Sequence, residues 1–404
     1  MNDVGNATPW RISFFACLAA LLPSAIGCTR SEPPKFAPSA DVTALMSART
    51  TEDEKKLGQE LQTAIAKELA TQCGTPLQPK ALENSGLSDD QLATGAVIFA
   101  GRCQPCHGTN GDGNGPLAKY LKPLPRDYTK GLFKFTSTPY GSKPRRADLV
   151  RTLRRGVTGT SMPSFADLSP DDLEAVVDYV VYLSQRGEFE HELASLAEQE
   201  DEVNADAAKA LAQTVIDRWK ESQPQLVMPL TPMPAFTPES IAKGQELFKS
   251  QACNKCHGLD GRGGSFGGLE VGKDIWGHEA AAADLTSGMF RGGGRPIDIY
   301  RRIYSGISGT PMPGFAQNFS KSPDDIWYLV HFIRDMGERR RRNLPPLKLP
   351  AASLPPVDAP AQPPAAEPTD PEAAQKAAEL SLPNYLGAAT LAEQLTTTSR
   401  APLR

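Results

Sequence analysis

Cys103-Gln104-Pro105-Cys106-His107 and Cys253-Asn254-Lys255-Cys256-His257 are two copies of one pattern, C-x-x-C-H. The pattern is the attachment signature of a c-type haem: each thiol adds to a vinyl group, and the adjacent histidine offers a nitrogen to the iron. C-x-x-C alone also serves zinc sites and dithiol redox pairs. The residues downstream separate these chemistries.

Met162 lies 55 residues past His107, within Gly159-Thr160-Ser161-Met162-Pro163-Ser164-Phe165. Met312 lies 55 residues past His257, within Gly309-Thr310-Pro311-Met312-Pro313-Gly314-Phe315. A thioether is a weak, soft ligand that zinc does not use, whereas haem iron does, and His/Met ligation raises the reduction potential. Most of the eight methionines read as core packing. Met162 and Met312 instead sit between a Gly-Thr-x turn and a proline, on loops with no helical stripe to belong to. The spacing predicts two covalently bound haem c groups. One is held by Cys103, Cys106, His107 and Met162, the other by Cys253, Cys256, His257 and Met312. The iron ligands are His107 and Met162, then His257 and Met312.

With these residues in place, the chain resembles the class I c-type cytochromes, the domain occurring twice, over roughly 87–187 and 236–343. The resemblance implies an all-α fold of two such domains. Helix signals fit it. Ser88-Asp89-Asp90-Gln91 reads as a capping box and Thr237-Pro238 as an N-cap with proline at the first helical position. Gly95 and Phe99 recur as Gly244 and Phe248; in the family this helix crosses the C-terminal one, the glycine permitting close approach. Ser169-Pro170 and Ser322-Pro323 open the C-terminal helices, each followed by two aspartates at the positive dipole end. Leu173, Val176, Val177 and Val180, like Ile326, Leu329, Val330 and Ile333, follow helical spacing. Gly187 and Gly337 read as stops. About 100 residues bury a core poorly on their own, and a large apolar haem would complete it.

Between the ligands the repeats diverge. Pro116 to Arg146 is rich in Pro, Lys and Tyr, while the matching stretch is glycine-rich, from Gly261 to Gly268 and at Gly292-Gly293-Gly294. Both read as loops around a haem. No phosphate-cradling or dinucleotide fingerprint occurs in the strand–turn–helix context it requires.

The N-terminus sets the compartment. Arg11 precedes an apolar run, Ile12 to Leu22, too short to span a bilayer and suited to a signal-peptide core. It ends at Ala25-Ile26-Gly27-Cys28, which resembles a bacterial lipobox. The expectation is a signal peptide over 1–27, acylation of Cys28 and a lipid tether over 28–45, giving an exported, periplasmic protein anchored to a membrane. Of seven cysteines, Cys17 leaves with the signal, Cys28 takes lipid and four hold haem. Cys73 remains, closing a helix opened by the capping box Thr51–Glu54 within a helical segment over 46–86. Its readings are a buried, inert thiol, a thiol paired between chains or an alternative iron ligand, the first being favoured.

A helical spacer and linker is expected over 188–235, with ten acidic residues against three basic from 188 to 226. The net charge of −4 thus combines acidic spacers with mildly basic redox units. The segment 344–404 holds 12 of the 36 prolines and is expected to be a disordered Pro/Ala-rich tail. His331 reads as packing, His191 and His278 as solvated. Arg339 to Arg342 reads as a helix end; no nucleic-acid partner is expected.

Two six-coordinate irons would leave no open position, so electron transfer is favoured and no small-molecule substrate is expected. The predicted function is a non-enzymatic di-haem cytochrome at the outer face of a bacterial membrane. Its partners would be redox proteins or a respiratory complex of which it is a subunit. The alternative is a haem enzyme such as a di-haem peroxidase or a thiosulfate-oxidising cytochrome.

Overall fold

Glycine lets two helix crossings form, and these organise the chain. In a computed structural model, whose described residues are 33–47, 49–263 and 270–345, the protein is mostly helical. The signal segment, Cys28, Gly264 to Gly268 and the tail beyond 345 lie outside the described residues. None of the described helices is long and apolar enough to cross a membrane.

Two helices come first, α1 (Ala40–Ser47) and α2 (Glu52–Cys73), so helix begins inside the stretch read as tether. Thr51 caps α2 as expected. Its hydroxyl accepts from the Glu54 N–H at 3.2 Å, and the Glu54 carboxylate accepts from the Thr51 N–H at 2.9 Å. The Thr51 and Thr50 N–H groups hold that carboxyl down at about 2. Leu61, Ile65, Leu69 and Cys73 form the buried stripe of α2. Gly74 ends the helix with φ 71°. The Cys73 thiol is fully buried, and burial pushes it up to about 12, a protonated and unreactive state.

The first repeat comprises α3 (Asp89–Arg102), α4 (Gln104–His107), α5 (Arg146–Arg155) and α6 (Pro170–Glu200). After α7 (Ala205–Ser222), the second repeats the plan with α8 (Pro238–Ser250), α9 (Cys253–His257), α10 (Pro296–Ser305) and α11 (Asp325–Arg341). It adds an antiparallel hairpin, β1 (Glu270–Lys273) and β2 (Glu279–Ala281). α3 crosses α6 at Gly95, where an added Cβ would stand 2.2 Å from the Ala175 carbonyl oxygen. α8 crosses α11 at Gly244, where it would stand 1.9 Å from that of Tyr328.

Several sequence signals resolve differently. Gly187 does not stop α6, which runs on to Glu200. Its backbone is not left-handed, and its missing side chain instead admits Thr129, whose Cα would lie 2.5 Å from a Cβ. The stretch read as a spacer from 188 therefore starts inside α6. Phe189, Leu193 and Ala197 are buried there, facing α7 with its buried Val215, Ile216 and Trp219. Gly337 likewise lies inside α11, beside Gly288. Ser88 makes no side-chain cap bond; the Asp89 carboxylate accepts from the Ala81 N–H instead, at 2.7 Å. α11 starts at Asp325 with Asp324 as cap, later than Ser322-Pro323 suggests.

Glu188 ties α6 to the loop before α5 and to α7. Its buried carboxylate pairs with the Lys143 ammonium and accepts from Trp219 Nε1 at 2.7 Å. Removing it leaves a buried ammonium without a partner. E188A is expected to cost about 3–5 kcal/mol, measured as the loss of unfolding free energy in denaturant titration. A cost under ~1 kcal/mol would show the pair to be idle.

Candidate functional site

Each C-x-x-C-H follows its first helix directly. α3 hands over to Cys103, whose N–H donates to the Phe99 carbonyl at 2.8 Å, and one turn of helix then carries Cys106 and His107. Cys103, Cys106, Cys253 and Cys256 are in no disulfide. Among the described residues no three His, Cys, Asp or Glu side chains converge as a metal-ion ligand set.

The histidines are pinned in the same way. His107 Nδ1 lies 3.0 Å from the Arg126 carbonyl oxygen, and His257 Nδ1 lies 3.1 Å from that of Ala283. A carbonyl only accepts, so Nδ1–H must donate, and the lone pair is left on Nε2. Burial lowers both imidazole pKa values, favouring the neutral form that binds metal. Such outer hydrogen bonds fix ring orientation and tune a ligating imidazole.

The accepting carbonyls sit on matched turns. Asp127 takes the Thr129 N–H and hydroxyl at 2.8 and 2.6 Å, and Asp284 takes those of Thr286 at 2.9 and 2.6 Å. Aromatic walls stand beside the imidazoles. Tyr128 stacks on His107 with centroids 4.7 Å apart and Phe133 stacks on Tyr128 at 5.8 Å. In the second repeat Phe248 stands 6.4 Å from His257 and meets Phe332 at 5.4 Å. Arg126, Tyr128 and Ala283 carry no motif of their own; the repeated Asp-x-Thr was the available signal.

The two methionine loops share a hydrogen-bond scheme. Gly156 and Gly306 end α5 and α10 with φ 65° and 68°, a left-handed backbone that favours glycine. The N–H of Val157 then donates to the Met162 carbonyl and that of Ile307 to the Met312 carbonyl, both at 3.1 Å. The hydroxyls of Thr160 and Thr310 accept from the methionine N–H groups at 3.1 and 3.3 Å. Phe165 and Phe315 donate back to Leu153 and Ile303 at 2.8 and 3.0 Å. Both methionines are half-buried, and Met162 packs on the core that includes Cys103 and Tyr128. The donor set of each repeat fits a covalent haem: two cysteines outside any disulfide, an imidazole whose Nδ1 is engaged so that Nε2 carries the lone pair, and a thioether on a braced loop.

Asp127 and Asp284 hold matching places but titrate in opposite directions. Burial raises Asp127 above its ordinary 3.8, against the opposing Thr129 hydrogen bonds. Burial also pulls Asp284 upward, but bonds from Thr286 and Arg340 outweigh it and hold the carboxyl below 3.8. A lowered acid stabilises the fold above its unfolded pKa, and that contribution is lost as pH falls through the folded value. A raised acid does the reverse: its contribution is present below the unfolded pKa and lost as pH rises through the folded one. Acidification through the region around and below 3.8 is therefore expected to loosen the Asp284 turn and to leave the Asp127 turn protected. Hydrogen exchange of the two turns at neutral and acid pH measures this; equal loss of protection refutes it.

Residues 90–180 match the family model described as cytochrome c oxidase, cbb3-type, subunit III, and residues 241–337 match the one described as cytochrome c. Among solved structures the chain is similar to one from the Kuenenia stuttgartiensis reducing HAO-like protein complex. That chain is 30% identical, with 60% of this chain and 95% of that chain covered and a TM-score of 0.47. A search of curated proteins found no match.

Proposed function

We propose that this chain, in which two cytochrome c-type domains stand in tandem, relays electrons between redox proteins at the outer face of a bacterial membrane. It works there as a subunit or close partner of a respiratory complex. Cytochrome c domains bind covalent haem c and transfer electrons. When bound, haem supplies a reversible one-electron iron couple.

The observation that carries the reading is the doubled ligand frame. Cys103 and Cys106, then Cys253 and Cys256, attach the two groups. His107 and His257 present Nε2, their rings locked by the Arg126 and Ala283 carbonyls. Met162 and Met312, on loops cross-bonded to the ends of α5 and α10, would supply the second iron ligand of each repeat. Locked rings and braced loops suit electron transfer, which asks little movement of the ligands. The haem-enzyme alternative needs an open iron position, and a methionine poised in each repeat weighs against it. Acylated Cys28 supplies the anchor in this reading and places the redox domains in the periplasm.

The spectrum of the purified full-length protein tests the proposal. Two haems per chain are expected, both low-spin, with a Met-to-iron charge-transfer band when oxidised. M162A and M312A should each remove about half of that band. A high-spin haem with peroxide turnover in the unmodified protein would overturn the reading in favour of the enzyme. Detergent extraction tests the partnership, since a protein that always purifies alone is no subunit. Mass measurement of the mature N-terminus tests Cys28, and an unacylated Cys28 removes the anchor.

A further inference from the structure

The second repeat contains an element the first lacks. Its His257-to-carbonyl partner lies 26 residues on, at Ala283, against 19 for Arg126 after His107. Within this longer connection β1 and β2 fold back as a hairpin, and the tip Asp274–His278 reaches the first repeat. There the Arg126 guanidinium lies 3.9 Å over the Trp276 ring. Lys134 Nζ pairs with the buried Asp274 carboxylate at 3.0 Å, and Lys130 Nζ donates to the Ile275 carbonyl at 3.2 Å. Trp276 Nε1 is buried without a hydrogen-bond partner among the described residues, so the ring is held by packing and by the Arg126 guanidinium.

The same tip is fastened to the second repeat's methionine loop. Ile275 N–H donates to the Gly309 carbonyl at 3.1 Å. A Cβ on Gly309 would stand 2.6 Å from Trp276, so the ring lies directly on that loop. One side of the tip thus touches the residue whose carbonyl orients His107. The other side touches the loop that carries Met312. Tyr140 and Gly141 add contacts from the first repeat to the Thr310 carbonyl and the Ser308 hydroxyl, at 3.5 and 3.2 Å.

We propose that the hairpin is a clamp that fixes the two haem sites relative to each other for electron exchange within the chain, with Trp276 as its positioning residue. The inference rests on the reading of both repeats as haem sites. The buried Arg302 guanidinium of α10 also donates to the Lys134 and Thr136 carbonyls of the first repeat, and a polar seam of this kind leaves relative domain motion as the default. A cation–π contact with an ion pair beside it resists that motion. In the exchange one site loses an electron and is oxidised while the other gains it and is reduced. No bond breaks and no proton moves.

Exchange NMR on the half-reduced, full-length holoprotein tests this, using the paramagnetically shifted haem-methyl signals of each site. W276A is expected to slow intramolecular exchange about tenfold or more, since loss of fixed geometry between reacting centres carries penalties of that size. W276F should restore most of the rate. K134A, which weakens the clamp from the first repeat without touching the Met312 loop, should also slow exchange. Both midpoint potentials and both Met-to-iron bands should stay unchanged. Unaltered exchange in W276A and K134A overturns the clamp. So does slowing accompanied by loss of the second Met-to-iron band, which would make Trp276 only a prop for Met312. Fewer than two low-spin haems in the unmodified protein is a separate failure, that of the haem reading itself.

Discussion

Changing Cys103 and Cys106 together to serine is expected to yield a chain with one covalent haem instead of two. A hydroxyl does not add to a vinyl group as a thiol does, so attachment fails at that site alone. The second pair, Cys253 and Cys256, lies in a separate repeat with its own histidine turn and methionine loop, and should load normally. C253S/C256S should give the mirror result. Haem absorbance per chain after denaturation, which keeps only covalent haem, counts the sites directly. Two haems in either double variant would refute the assignment. The first double variant should also lose stability, because Tyr128, Phe99, Leu183 and Met162 line a core that a bound haem would extend in a domain of marginal size.

The haem motifs and the helices around them were legible because each rests on a local rule. A C-x-x-C-H, a Gly-Thr-x-Met-Pro loop or a Thr51–Glu54 capping box involves residues within one or two turns of each other. The capping box forms with the predicted bonds. The features that misled are those where a local signal has a distant use. Gly187 looks like a helix stop, yet it serves the passage of Thr129 across α6. Ser88 looks like a cap residue yet makes no side-chain cap bond, while the neighbouring Asp89 receives the Ala81 N–H from the preceding loop. The clamp was invisible for the same reason. Arg126 and Trp276 are 150 positions apart and meet only because the second repeat is longer before its histidine turn. Neither residue type announces a cation–π pair, and a glycine-rich stretch gives no hint of a hairpin at its end. The two-fold repeat also hid a divergence: Asp127 and Asp284 share a turn but not an environment, since Arg340 reaches only the second.

Gly244→Val is expected to destabilise the second domain more than any surface change. The missing side chain is what allows α8 and α11 to cross; a Cβ there would stand 1.9 Å from the Tyr328 carbonyl oxygen and 2.8 Å from Phe332 Cβ. The nearest obstacle is backbone, not the end of a flexible side chain, so relief requires the helices to separate. Phe248, Leu329, Phe332 and Ile333 would then lose packing that is now almost complete. Overpacking alone costs about 1–3 kcal/mol in a tight core, and opening the crossing adds lost burial at ~25 cal/mol per Å². The sum should exceed about 3 kcal/mol. Gly95→Val should do the same in the first domain, where the obstacle is the Ala175 carbonyl at 2.2 Å. Gly101 supplies the contrast. It lies near the end of α3 with nothing within 4 Å of an added Cβ, so Gly101→Ala should be neutral or stabilise by up to about 1 kcal/mol through helix propensity. Denaturant titrations of the three variants separate the two mechanisms. If Gly101→Ala costs as much as Gly244→Val, the crossings are not what glycine is there for.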